Sequence, residues 1–240
     1  YVLYLAHWDH LGVKPGTAGA DQIYNGAIDN GIGSFAVLDM ARAFMANKLK
    51  PRRTVEFVMF MGEEQGLLGS RGYVKNHYAN RLTMELKPEH SKVSAYYNLD
   101  NGGGKIRGIY LQGNDELRPI FEEWLAPFHD LGASTVTYRN TGSTDHISFD
   151  EVGIPGFQFI QDPMDYGTRT HHSNMDVYER AQREDLMQAS AILASLLPAD
   201  ADRAKFKHAL GIHGDPLASR RKILQSRRTG LRFEGDAYSY

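Results

Sequence analysis

The sequence contains no cysteine. That single absence removes disulfide scaffolds, thiolate zinc fingers, iron–sulfur clusters and cysteine nucleophiles together. Any metal must therefore be held by His, Asp, Glu or water. No apolar run approaches the ~20 residues that a membrane-spanning helix requires. There is no Gly-x-Ser-x-Gly nucleophile elbow and no Walker loop, which argues against a serine hydrolase of that type and a P-loop enzyme. A net charge of −2 gives no general reason to expect nucleic acid. Tyr1–Leu5 read as the interior of a strand, with no basic stretch and no cleavage site ahead of them. They are not a signal peptide, and the pattern is that of a domain excised from a longer chain.

What is present is ordinary in amount and informative in order. The 240 residues suit one large domain or two small ones, and a chain of that length buries about 70–75% of its unfolded surface. Residues 201–240 carry nine Lys/Arg against four Asp/Glu, leaving residues 1–200 acidic. Short β-rich apolar runs occur at Val2–Ala6, Thr54–Met61, Val93–Leu99, Gly108–Leu111 and Pro155–Ile160. Helical periods lie between them. Gly33–Asn47 sets Phe35, Leu38, Ala41, Ala43 and Phe44 on one face, and Glu116–Leu131 does the same with Leu117, Ile120, Phe121, Trp124 and Leu125. A third helix is expected over Glu184–Leu197, stopping before Pro198. Strands alternating with helices predict an α/β chain: a three-layer sandwich, its mixed but mainly parallel β-sheet covered by helices on both faces.

In such sheets the carboxyl ends of the strands collect the functional groups. Those ends here carry His7-Trp8-Asp9-His10, Glu63-Glu64, Asp100-Asn101 and, after a loop, His171-His172-Ser173; Asp29-Asn30-Gly31 precedes the first long helix. Each cluster alone has a plain alternative, since Asp, Asn and Gly make turns. Adjacent carboxylates beside a buried rim are costly unless cations compensate. Arg and Lys are scarce among these same residues, so the set asks for a metal. Gly31-Ile32-Gly33-Ser34-Phe35-Ala36 matches a dinucleotide-binding pattern, but a turn-rich loop precedes it and the next acidic strand end is about 30 residues on, against the ~20 that fold needs.

Taken in order, Ala6–Gly12, Asn25–Gly31, Gly62–Ser70, Asn98–Asp100 and His171–Ser173 resemble the catalytic domain of the co-catalytic di-zinc aminopeptidase family. Gly142–His146, running through Gly153–Gly156 to the double histidine, is most similar to the branch of plasma glutamate carboxypeptidase, carboxypeptidase Q. The resemblance implies a catalytic domain over 1–198, truncated at its N-terminal side, followed by a basic extension over 199–240 for which it supplies no counterpart. It implies two zinc ions per chain bridged by Asp29, one also held by His7 and Asp100, the other by Glu64 and His172. Glu63 takes the position of the general base, acting on a metal-bridging hydroxide, and Asp9 that of the carboxylate orienting the His7 ring. His171 and Asp145 are expected to border the substrate; the plainer reading of Thr144-Asp145-His146 is a helix cap followed by a surface histidine.

The implied activity is hydrolysis of short peptides or terminal residues by a zinc exopeptidase of the aminopeptidase, dipeptidase or carboxypeptidase type. Small peptides are then the partners, with no nucleic acid and no membrane, a homodimer as the assembly, and a secreted or periplasmic location. Two rivals share the fold: a glutaminyl cyclase-like transferase and a non-catalytic receptor or binding domain. His77, His90, His129, His208 and His213 have no evident partners and are expected on the surface.

Overall fold

A computed structural model describes residues 1–13, 16, 19–51 and 53–199. The basic extension, with Arg220-Arg221-Lys222, Arg227-Arg228, His208 and His213, lies outside the described residues. Ten strands occur among those described: β1 Val2–His7, β2 Gly12–Val13, β3 Ile23–Tyr24, β4 Val55–Phe60, β5 Ala79–Asn80, β6 Glu85–Leu86, β7 Ala95–Asn98, β8 Ile106–Tyr110, β9 Thr135–Thr137 and β10 Gly156–Gln161. Five α-helices accompany them: α1 Gly33–Ala46, α2 Leu68–His77, α3 Arg118–Leu125, α4 His146–Asp150 and α5 Arg183–Ala199. None is long and apolar enough to cross a membrane.

Six strands form the central sheet in the order β4-β1-β7-β10-β8-β9. The β1–β4, β1–β7, β7–β10 and β8–β9 pairs are parallel, and only β10–β8 is antiparallel. All six residues of β1 are buried, as expected of a strand covered on both faces. Its side chains alternate between two cores. Val2 and Tyr4 join one cluster with Met40 and Phe44 of α1, Phe121 of α3 and Ile192 of α5; Leu3 and Leu5 join the other with Val74 of α2 and Phe149 of α4. Three helices on one face and two on the other complete the three layers.

Several details depart from the sequence reading. The buried face of α1 is Gly33, Ala36, Val37, Met40 and Phe44, whereas Phe35 and Leu38 are 58% and 45% exposed. The observed set keeps the i, i+3, i+4, i+7 spacing and puts small residues where α1 meets β1 and α5; the Phe35–Leu38 stripe runs instead towards Arg42 and Met45 on the outside. The helix expected over Glu116–Leu131 is α only to Leu125, because Pro127 enters the next turn and the chain tightens to a 3₁₀ helix over Ala126–Leu131. α5 continues to Ala199, a shift within the usual fraying of helix ends. His90 is buried, against expectation: its ring bonds the Val152 carbonyl at 2.8 Å and so ties the segment before β7 to the end of α4.

Phe121 anchors the α3 layer through ring contacts with Tyr97, Trp124 and Phe157. Phe121→Ala should cost about 3–5 kcal/mol, read as a lower midpoint in chemical denaturation; a loss below about 1 kcal/mol would mean that this layer is not packed as described.

Candidate active site

The parallel strands β1, β4 and β7 end on the same edge, and the residues that follow them converge there. His7 is the last residue of β1, Glu63 and Glu64 follow β4, and Asp100 follows β7. Asp29 sits in a short irregular helical turn, Ala27–Ile32, that leads into α1. The first residue of α1 must be glycine because a Cβ at Gly33 would lie 2.1 Å from the Asn30 side chain and 2.4 Å from the Leu99 carbonyl. That close approach seats the start of α1, and Asp29 with it, against the end of β7.

Asp29 lies at the centre. Its Oδ1 is 3.2 Å from His7 Nε2 and its Oδ2 is 3.6 Å from His172 Nε2. His7 Nε2 is also 3.6 Å from Asp100 Oδ2, and His172 Nε2 is 2.8 Å from Glu64 Oε2. The five residues expected as metal ligands therefore share one pocket, as two half-sites joined by Asp29. Potential ligand atoms of His7, Asp29 and Glu64 all lie within 4.8 Å of one another, as do those of Asp29, His171 and His172. Beside them is a space of about 10 Å³ lined by Asp29, Glu64, His172 and Asp176, room for about one water-sized group.

The imidazole of His7 is informative about charge. Its Nδ1 donates to the Asp9 carbonyl at 3.0 Å, which turns Nε2 towards the cluster. That atom is buried without a hydrogen-bond partner and faces two carboxylates. Burial alone depresses a histidine, yet Asp100, Asp29 and Asp9 together hold its pKa far above the ordinary value. A ring nitrogen set against two carboxylates is stable only with a proton or a metal ion between them. The donor set of imidazole nitrogen and carboxylate oxygen suits a borderline cation such as zinc.

The surrounding residues hold this arrangement in place. Asp9 meets the His7 ring twice, its carbonyl receiving Nδ1 and its Oδ1 lying 3.6 Å from the same atom, and its carboxylate also accepts the backbone N–H groups of Glu63 and Glu64, both at 3.2 Å. Against the cost of burial, the His7 ring and those N–H groups keep its pKa low. Asp176 plays the matching part opposite, accepting the N–H groups of Ile28 at 2.6 Å and Asp29 at 2.9 Å. Thr144 donates to Asp100 Oδ2 at 2.6 Å and receives the Asn98 side-chain amide at 2.8 Å. Gln158 supports both, accepting from Asn98 and donating to the Asp100 carbonyl. Despite burial, His7, Thr144 and the Asn101 N–H keep Asp100 ionised below its usual range.

Sequence reasoning missed Tyr166, whose hydroxyl donates to Asp29 Oδ2 at 3.2 Å. Nothing in its spacing marks it; only the loop after β10 brings it in. Of the two residues expected to border substrate, His171 stacks on His172 with ring centroids 3.8 Å apart and is 40% exposed. Asp145 is fully buried at the start of α4 and makes no side-chain cap, and burial raises its pKa to about 7. His146 is buried rather than on the surface: Gln112 donates to its ring and also bonds the Thr141 carbonyl, and burial lowers its pKa to about 4.

Glu63 stands beside the cluster. Burial first, then the negative charges of Asp100, Asp145 and Glu64, raise its pKa to about 9. A carboxyl group raised in this way destabilises the fold as pH climbs from its unfolded value towards 9, because the folded state retains a proton that the unfolded chain has released. In metal-free protein, Glu63→Gln should therefore leave Tm unchanged near pH 4 and raise it near pH 8, by about 2–4 °C per kcal/mol of relief in a chain of this size. An equal Tm difference at both pH values would contradict the assigned shift.

The fold and this cluster define an α/β protein with a histidine–carboxylate cation pocket at the carboxyl edge of its sheet. Residues 1–197 match the model of Peptidase family M28, and the chain belongs to that family. It is 29% identical over 196 residues to aminopeptidase YwaD of Bacillus subtilis (strain 168), covering 79% of this chain and 39% of that protein. It is 28% identical over 169 residues to carboxypeptidase Q of Rattus norvegicus, covering 70% and 34%. Among solved structures, BSAP, a zinc aminopeptidase from Bacillus subtilis, superposes with a TM-score of 0.59 at 27% identity, over 81% of this chain and 44% of that one. The chain thus spans between a third and two fifths of the length of these curated relatives.

Proposed function

We propose that the protein is a zinc-dependent exopeptidase that hydrolyses short peptides or removes terminal residues. The observation that carries this reading is the buried His7 Nε2, held without a hydrogen-bond partner and facing Asp29 and Asp100. The donor set supports two zinc ions per chain, one taken by His7 and Asp100, the other by Glu64 and His172, with Asp29 shared. Zinc, when bound, supplies Lewis acidity that brings the pKa of water down towards ~7.

The remaining work falls to the chain. Glu63 needs no place among the ligands, because Glu64, from the next residue, reaches His172 instead. Cations bound beside Glu63 would draw its pKa down from the metal-free value, leaving a carboxylate able to take a proton from the attacking water and return it to the leaving amine. Asp9 holds the backbone of both glutamates, so the base and its neighbouring ligand keep a fixed relation. Tyr166 and His171, one bonded to Asp29 and the other exposed at the mouth, are set to meet the substrate carbonyl. We further propose action outside the cytoplasm, in a secreted or periplasmic setting, a reading that the likeness to carboxypeptidase Q supports.

Glu63→Gln should retain zinc and lose roughly 10²–10⁴-fold in kcat, measured on a dipeptide panel with the released residue identified. Undiminished kcat would remove Glu63 from the base role, and ammonia released from an N-terminal glutamine would replace the peptidase reading with a cyclase. Thr144→Val should weaken zinc binding about 10–100-fold by freeing the Asp100 carboxylate, measured with a competing chelator. Unchanged affinity would mean that the hydroxyl does not orient that ligand.

A further inference from the structure

A second recess, sharing no residue with the carboxylate cluster, is ringed by positive charge. It measures about 210 Å³ and lies between α2 and the turn after β5, well above the ~10–15 Å³ that a single water needs. Arg71, Lys75 and Arg81 line it with Asn80, and the buried Val74 and Ala79 form an apolar floor. One carboxylate approaches: Glu151 pairs with Arg81 at 2.9 Å, with both side chains partly exposed. Lys75 makes no ion pair among the described residues. Its place in the last turn of α2 suits the helix dipole.

Arg71 has no such explanation. It sits in the first turns of α2, the end of a helix that disfavours a cation. Its Nη1 donates to the Gly66 carbonyl at 2.8 Å, but its Nε is buried with no hydrogen-bond partner. A guanidinium offers five donors in a planar fork that matches a carboxylate or phosphate, and a buried donor left unmade is costly.

We propose that this recess binds a small organic anion, its carboxylate or phosphate head held by Arg71, Lys75 and Arg81 and its short apolar body lying against the exposed Leu82. The head supplies the counter-charge that Arg71 and Lys75 lack, and the body covers Leu82, which is otherwise exposed. This site stands whether or not the exopeptidase reading holds, since none of its residues belongs to that machinery.

The test is an amide NMR titration of the zinc-loaded chain with 3-phenylpropionate, phenyl phosphate and the neutral 3-phenylpropanamide. Both anions should shift amides of residues 71–75, 79–82 and 148, the ranking of the two identifying the preferred head, and the neutral amide should shift none. Arg71→Met and Lys75→Met should each weaken binding about tenfold, the loss of one charge-assisted hydrogen bond. Lys75→Met touches no backbone anchor, so it remains informative if Arg71→Met unfolds. Shifts confined to residues 62–66 and 171–172, equal binding of the neutral amide, or unchanged affinity in Lys75→Met would each overturn the proposal.

Discussion

A buried edge crowded with carboxylates needs a positive charge to exist, and the remainder of the molecule is arranged around that need. Asp29, Asp100 and Glu64 converge on two imidazoles, with no lysine or arginine paired to them among the described residues. Left alone, such a group draws protons: the His7 pKa is driven up by its three aspartates, and that of Glu63 by burial and by its acidic neighbours. Protons and metal ions compete for the same lone pairs. The upward direction of both shifts is the direction in which the folded chain pulls a cation into this pocket.

Holding like charges together is a backbone task here. Asp9 and Asp176 lie on opposite sides of the cluster, and each uses both carboxylate oxygens to pin two consecutive N–H groups, Glu63–Glu64 in one case and Ile28–Asp29 in the other. Asp29 and the Glu63–Glu64 pair are thus clamped through their main chains, leaving their side chains free to face inward. Tyr96, Asn98, Thr144 and Gln158 form a buried network that does the same for Asp100. Networks of this kind are stable only when every member is satisfied, which ties the geometry of the pocket to the integrity of β7 and β10.

Much of the fold was readable because parallel strands buried on both faces appear as continuous apolar runs, as at Val2–Ala6. The convergence of His7, Glu64 and Asp100 was readable for a related reason: polar residues directly after such runs fall on one edge. The failures share a cause too. α2 went unseen because Gly69, Gly72 and its charged residues hide its period. Phe35 and Leu38 misled the assignment of the α1 face because large apolar residues need not be buried. His90 and His146 were taken for surface groups because their partners, the Val152 carbonyl and the Gln112 amide, come from distant segments. Asp9 lies beside the His7 ring as its spacing suggests, but its grip on the Glu63 and Glu64 N–H groups is not legible in sequence, because those groups follow a different strand.

The central claim is that Asp29 joins two cation sites. Elemental analysis of zinc in purified protein, carried out alongside an Asp29→Asn variant whose circular dichroism matches the parent, tests it directly. The account predicts two zinc ions per parent chain and fewer than one in the variant. Two ions retained by the variant, or none bound by the parent in zinc-replete buffer, would contradict it.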